Sequence, residues 1–217
     1  MQDILVRPQT TEETQDLDLL VLAAGRRSCV GINLRSGALV RTHQSEPSSV
    51  GLGPFDTARA PMLLRQTDRP DQPEAVEVQR PLTPTGVMGG WRVDRALRNV
   101  SHPGTKPLLG FVGPALPYWE LDGDRPSVSV IPIDSSVSIS VDHRGVRCRF
   151  VWHHGGVDLP LEDLRVLAKL DWLPSGPLRG RRLHHSLGFR PERAVVALSR
   201  PIKGYCYKVI AGLLPEP

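Results

Sequence analysis

The side chains in this sequence best placed to do chemistry are basic and aromatic. Arg26 and Arg27 stand together between two apolar stretches, and Arg41 closes the segment 38–43. Arg144, Arg147 and Arg149 crowd one short stretch beside His143. A guanidinium is planar and always charged, and its fork of donors matches phosphate oxygens. Tyr205 and Tyr207 lie two residues apart, on one face of a strand, where rings stack on bases; Lys208 follows. Arg26, Arg27, Arg41, Arg144, Arg147, Arg149, Tyr205 and Lys208 are therefore the candidate nucleic-acid-binding residues. Each has a bland rival: a solvated turn for Arg26 and Arg27, and a salt bridge for Arg41. For Arg147 and Arg149 the rival is the polar face of a strand, and for the tyrosines it is core packing.

Catalytic patterns are weaker. His153-His154 and His184-His185 invite comparison with metal ligands, with Asp158 as a third. Adjacent strand residues point to opposite faces, so each pair offers one ligand at best. Cys29 and His43 have the types of a nucleophile and its base, but Cys29 sits in an apolar strand, where a buried inert thiol is the commoner outcome. GxGxxG, GxxxxGK[ST], GxSxG and HExxH are all absent. The expectation is a protein that is not a catalyst, with no cofactor and no metal site.

Charge points the same way. Residues 1–18 carry net −4, which leaves the remainder at net +8 in a chain of net +4. A body so basic favours an anionic partner, nucleic acid first. Four of the 27 basic residues are lysines, although arginine is also raised by a GC-rich genome. Aromatic content is 5%, which counts against binding by stacking alone. No apolar run approaches the ~20 residues of a membrane-spanning helix. The opening MQDILVRPQTTEETQDLD lacks the basic-then-apolar order of a secretory signal. Cys29, Cys148 and Cys206 are few, odd in number and widely spaced, so the expected location is a reducing one, the cytoplasm, with no membrane partner.

The elements that must position these residues are strands. Residues 19–23 form an apolar run; Val30, Ile32 and Leu34 then alternate with small or polar residues, and Arg35-Ser36-Gly37 makes a tight turn before 38–43. Residues 59–65 and 75–80 supply two more strands, the count of one five-stranded barrel. Residues 44–57 read as a loop. Residues 81–124 are rich in proline and read as a connector with one short helix around Trp91–Leu97, packed between two lobes. From Ser127 strict alternation resumes in SVSVIPI and SVSISV. In VRCRFVW, Val146, Cys148, Phe150 and Trp152 share one face, and Arg147 and Arg149 the other. A helix is expected over 161–170, then strands over 193–198 and 205–211. The fold class is mainly β, with two tandem small antiparallel OB-like barrels. The divisions are an acidic flexible segment 1–17, a first barrel 18–80, a connector 81–124 and a second barrel 125–217.

Several stretches resemble the bacterial dual OB-containing domain family. They are 19–23, Cys29-Val30-Gly31-Ile32, Val40-Arg41, Gln72-Pro73-Glu74, the run Val157 to Asp163, 195–198, and Tyr207-Lys208-Val209-Ile210-Ala211-Gly212. The matches fall in order from 19 to 212. Leu161-Glu162-Asp163 stands where the family has Val-Thr-Asp, and the connector is longer than usual. The resemblance implies two OB barrels in an accessory subunit of a defence or conflict system that handles nucleic acid, DNA or RNA, beside a protein partner from the same gene system. The alternatives are a protein-interaction or scaffold subunit of such an assembly and, further off, a small metal-dependent hydrolase.

Overall fold

A computed structural model describes residues 14–44, 51–64, 69–134, 136–143, 145–153, 155–170 and 176–217. The chain is mainly β, and the first half closes into a five-stranded barrel. Its strands are β1 (Thr14–Ala24), β2 (Ser28–Asn33), β3 (Leu39–Gln44), β4 (Asp56–Leu63) and β5 (Ala75–Val78). They run in the order β1-β2-β3-β5-β4 and return to β1. All neighbours are antiparallel except β3 and β5, which are parallel. One long strand makes closure possible. β1 pairs with β4 over Thr14–Leu20 and with β2 over Leu19–Ala24, turning at an irregularity between Val21 and Ala23. Where the two strands coil together, a Cβ on Gly31 would lie 2.5 Å from the Leu20 carbonyl oxygen, so only glycine fits.

The apolar run 19–23 does not alternate because β1 is buried on both faces. Leu17, Leu19 and Val21 fill the first barrel with Cys29, Val40, Ala58 and Ala60. Leu20, Leu22 and Ala23 face the other way, into a cluster shared with Val128, Val130, Val195, Ala197 and Val209 of the second half. The acidic lead-in expected over 1–17 is therefore cut short. Thr14–Leu17 are strand, paired with Ala60–Leu63, and Leu17 is buried.

The connector is structured from end to end. β6 (Thr83–Val87) pairs with β4. The helix α1 (Trp91–Val100) buries Val93 and Leu97 in the shared cluster. These two residues are four apart, the spacing that puts side chains on one helix face. Two single 3₁₀ turns follow, Leu108–Gly110 and Tyr118–Glu120, with the short strand β7 (Ala115–Pro117) between them.

The second half repeats the first barrel's strand order, with its first strand broken in two. β8 (Val128–Pro132) and β9 (Ser138–Asp142) together stand where β1 stands. β10 (Gly145–Trp152) and β11 (Gly155–Pro160) follow; after two helices come β13 (Arg193–Leu198) and β14 (Tyr205–Leu214), with the two-residue β12 (Leu178–Arg179) against β9. The order is β9-β10-β11-β14-β13-β8. β11 meets β14 at a single parallel bridge, Leu161 to Ile210. This sheet is curled and partly open, where the first is closed. The helices α2 (Leu164–Lys169) and α3 (Gly180–Leu187) plug its end through Val166, Leu183 and Leu187.

The expected helix over 161–170 starts three residues late, and the reason is local. Leu161 is taken by the bridge to Ile210, and Asp163 caps α2 by accepting from the backbone N–H groups of Arg165 and Val166. The helix α3 was not foreseen, because its apolar contribution is two leucines, Leu183 and Leu187, among arginines and histidines. Among the described residues no helix is long and apolar enough to cross a membrane.

Candidate nucleic-acid interface

The candidate residues do not form one patch. Arg26 and Arg27 are exposed in the loop between β1 and β2, a loop that OB folds use for ligand contact. Neither has an ion-pair partner among the described residues. Arg41 is a correction: it is 8% exposed, at the junction of the barrels. Its Nη1 donates to the Leu198 carbonyl at 2.9 Å. Burial pulls its guanidinium below the usual value, against the opposing charges of Glu74, Glu162 and Asp71. Arg41 ties β3 to β13 and does not face an outside partner. Glu74 makes a second tie, accepting from the backbone N–H and the hydroxyl of Ser127 at 2.8 and 2.5 Å.

β10 separates its faces as the alternation predicts. Cys148 and Phe150 are buried, and Val146 and Trp152 are half-buried against the same core. On the other face Arg147 and Arg149 share one carboxylate. Their Nε atoms lie 2.7 and 2.9 Å from the two oxygens of Asp158 on β11, which is opposite Arg149 and diagonal to Arg147. Desolvation works against that carboxylate, but both arginines' hydrogen bonds and charges outweigh it and hold Asp158 below the usual range. Half the positive charge of this face is thus neutralised. Arg144 lies outside the described residues.

Lys208 is a second correction. It is 5% exposed and points to the interior face of β14. Its Nζ donates to the Phe111 carbonyl at 2.7 Å and lies 3.9 Å from the centre of the Phe111 ring. Burial lowers its pKa to about 8.

Tyr205 is exposed, and around it lies a group of rings that the sequence did not assemble. Tyr205 and Tyr207, 41% and 36% exposed, share the outer face of β14. β7 pairs beside them, Tyr205 opposite Pro117 and Tyr207 opposite Ala115. That pairing brings in Tyr118 and Trp119; Trp119 is 70% exposed and meets the Tyr205 ring edge-on at 5.8 Å. The Tyr118 N–H donates to the Gly204 carbonyl and fixes the turn.

The loop from β13 to β14 delivers charge to the same place. Ile202 and Tyr205 exchange backbone hydrogen bonds around Lys203 and Gly204, which have φ of 51° and 84°. Two positive φ values make a type I′ turn, where asparagine and glycine are at ease and lysine is strained. A Cβ on Gly204 would also come within 3.2 Å of the Trp119 ring. Arg200 and Lys203 are exposed on this hairpin, and neither has an ion-pair partner among the described residues. A further set of exposed cations, Arg179, Arg181 and Arg182, without ion-pair partners among the described residues, projects from the start of α3.

The catalytic candidates do not come together. Cys29 lies opposite Thr42, so His43 points to the other face of β3. His43 instead meets Gln72, and burial lowers its pKa to about 4 against that hydrogen bond. Burial pushes the thiols of Cys29 and Cys148 up to about 12 and that of Cys206 to about 11, and all three are free. Among the described residues no three His, Cys, Asp or Glu side chains form a metal-sized group; His154 lies outside them. His153 packs edge-on to Trp152. Compared with known proteins, the chain matches no family model, no curated protein and no solved structure.

Proposed function

We propose that this protein is a non-catalytic binder of single-stranded nucleic acid, and that the rings of Trp119, Tyr205 and Tyr207 are its stacking platform. The observation that carries the reading is the exposure of these rings beside two unpaired cations on a loop of an OB-like barrel. Bases stack on such rings without regard to sequence, which requires bases free of a duplex. Arg200 and Lys203 supply phosphate contacts at the platform's edge. Arg26 and Arg27 offer the same on the first barrel. The resemblance to dual OB-containing domains supports service in a bacterial defence or conflict assembly.

The test is a titration of labelled oligo-dT or oligo-U of about 20 nucleotides, longer than one OB site, against a duplex of equal length. Single strands should bind more tightly than the duplex, and affinity should fall as salt rises, because phosphate contacts release counterions. Ile202, 54% exposed and paired opposite Tyr205, favours a second reading, a docking surface for a protein. Absence of single-strand binding at low salt would transfer the platform to that reading.

A further inference from the structure

Where β11 and β14 separate, the wall of the second barrel opens into a cavity of about 540 Å³. The two strands share one described bridge, Leu161 to Ile210; before it the Lys208 N–H donates instead to the Pro114 carbonyl, and the connector fills the gap. Pro107, Leu108, Phe111, Trp152, Val157 and Leu159 make the lining apolar. Barrel mouths of this size and character are ordinary ligand sites.

One feature of the lining is costly unless something else joins it. Lys208 projects from the wall, 5% exposed, and no carboxylate among the described residues pairs with it. Asp158 also lines the cavity, but both its oxygens are held by Arg147 and Arg149. An ammonium has three donors; the Phe111 carbonyl accepts one and the Phe111 ring faces the charge, which leaves two donors without an acceptor among the described residues. A buried charge short of acceptors is expensive, and an anionic acceptor entering the cavity would relieve it. The indole N–H of Trp152, on the same lining, is likewise buried without a partner.

We propose that this cavity binds a small apolar carboxylate, its head accepting from Lys208 and its body lying among Leu108, Phe111 and Val157. The site is separate from the stacking platform, because Tyr207 and Lys208 point to opposite faces of β14. The amine's pKa of about 8 fits a group awaiting a counter-ion, since a bound carboxylate would restore it.

The experiment is calorimetric titration of the full chain with octanoate, and with octanol as the neutral molecule of equal tail. Octanoate should bind, octanol should bind at least about tenfold more weakly, and Lys208→Met should reduce octanoate to the octanol level. Val157→Phe is the second variant. Val157 lines the cavity and packs on the core side of β11, so a larger ring there takes up ligand space without replacing the amine. It should weaken octanoate as well, and it decides the matter if Lys208→Met fails to fold. No binding by the wild type, equal binding of octanoate and octanol, or unchanged octanoate binding by folded Val157→Phe or by folded Lys208→Met would overturn the proposal.

Discussion

Replacing Asp163 by alanine should cost about 3 kcal/mol, far more than its place on a short surface helix suggests. Asp163 is 2% exposed, and its carboxylate serves two elements. Oδ1 accepts from the N–H groups of Arg165 and Val166, at 3.0 and 3.3 Å, and starts α2. Oδ2 accepts from the Leu213 N–H at 2.9 Å, pinning the last strand to that helix. Losing the cap costs about 1 kcal/mol. The Leu213 N–H is buried and would be stranded, which adds about 1–3 kcal/mol. The pair with Arg165, partly open to solvent, adds under about 1 kcal/mol. In urea, at a slope of about 2 kcal/mol/M, the midpoint should fall by about 1.5 M with little change in slope. Asp163→Asn should recover only the cap, because its amide nitrogen would face the Leu213 N–H donor to donor. A loss under about 1 kcal/mol for the alanine variant, or wild-type stability for the asparagine one, would refute the argument.

Three further outcomes follow from the electrostatics and the thiols. Asp158→Ala should lower stability by under about 1 kcal/mol near neutral pH, since the ion pairs are partly exposed. Because the folded pKa of Asp158 is depressed, that advantage of the wild type should vanish as acid titrates the carboxylate, and a persistent difference at low pH would contradict it. Lys208→Met should raise the melting temperature at pH 7, and its lead should shrink from about pH 8 upward, because the unfolded chain keeps the lysine proton that the folded chain gives up there. A thiol reagent should leave Cys29, Cys148 and Cys206 of the native protein unlabelled and modify all three in denaturant; rapid native labelling of Cys29 would revive a nucleophilic role.

The strand architecture was legible because alternation in segments such as 146–152 reports burial on one side directly. The doubly buried β1 was legible as a strand but not as an interface, since an unbroken apolar run does not say what covers its second face. Arg41 and Lys208 misled for one reason: composition counts a cation without saying which way it points, and each sits on the inward side of its strand. The platform was half visible. Tyr205 and Tyr207 advertise their shared face by spacing, whereas Trp119 joins them only through the pairing of β7 with β14, across some ninety residues of chain. Several stretches that carried the family resemblance prove to be joints. Glu74 clamps Ser127, Asp163 clamps Leu213, and a Cβ on Gly212 would lie 2.8 Å from that of Ala23 where the barrels meet.

The central claim is that the exposed rings on β14 and on the turn after β7 hold unpaired bases. It is tested most directly by fluorescence anisotropy of labelled oligo-dT with the wild type and with the double variant Trp119→Ala, Tyr205→Ala. Both rings are exposed and support little core, so the variant should stay folded, with a melting temperature close to that of the wild type. Each stacked base is worth about 1–3 kcal/mol, so affinity should fall by about tenfold or more per ring while the salt dependence, set by phosphate contacts, stays nearly unchanged. Equal affinity of the folded variant and the wild type would contradict the account.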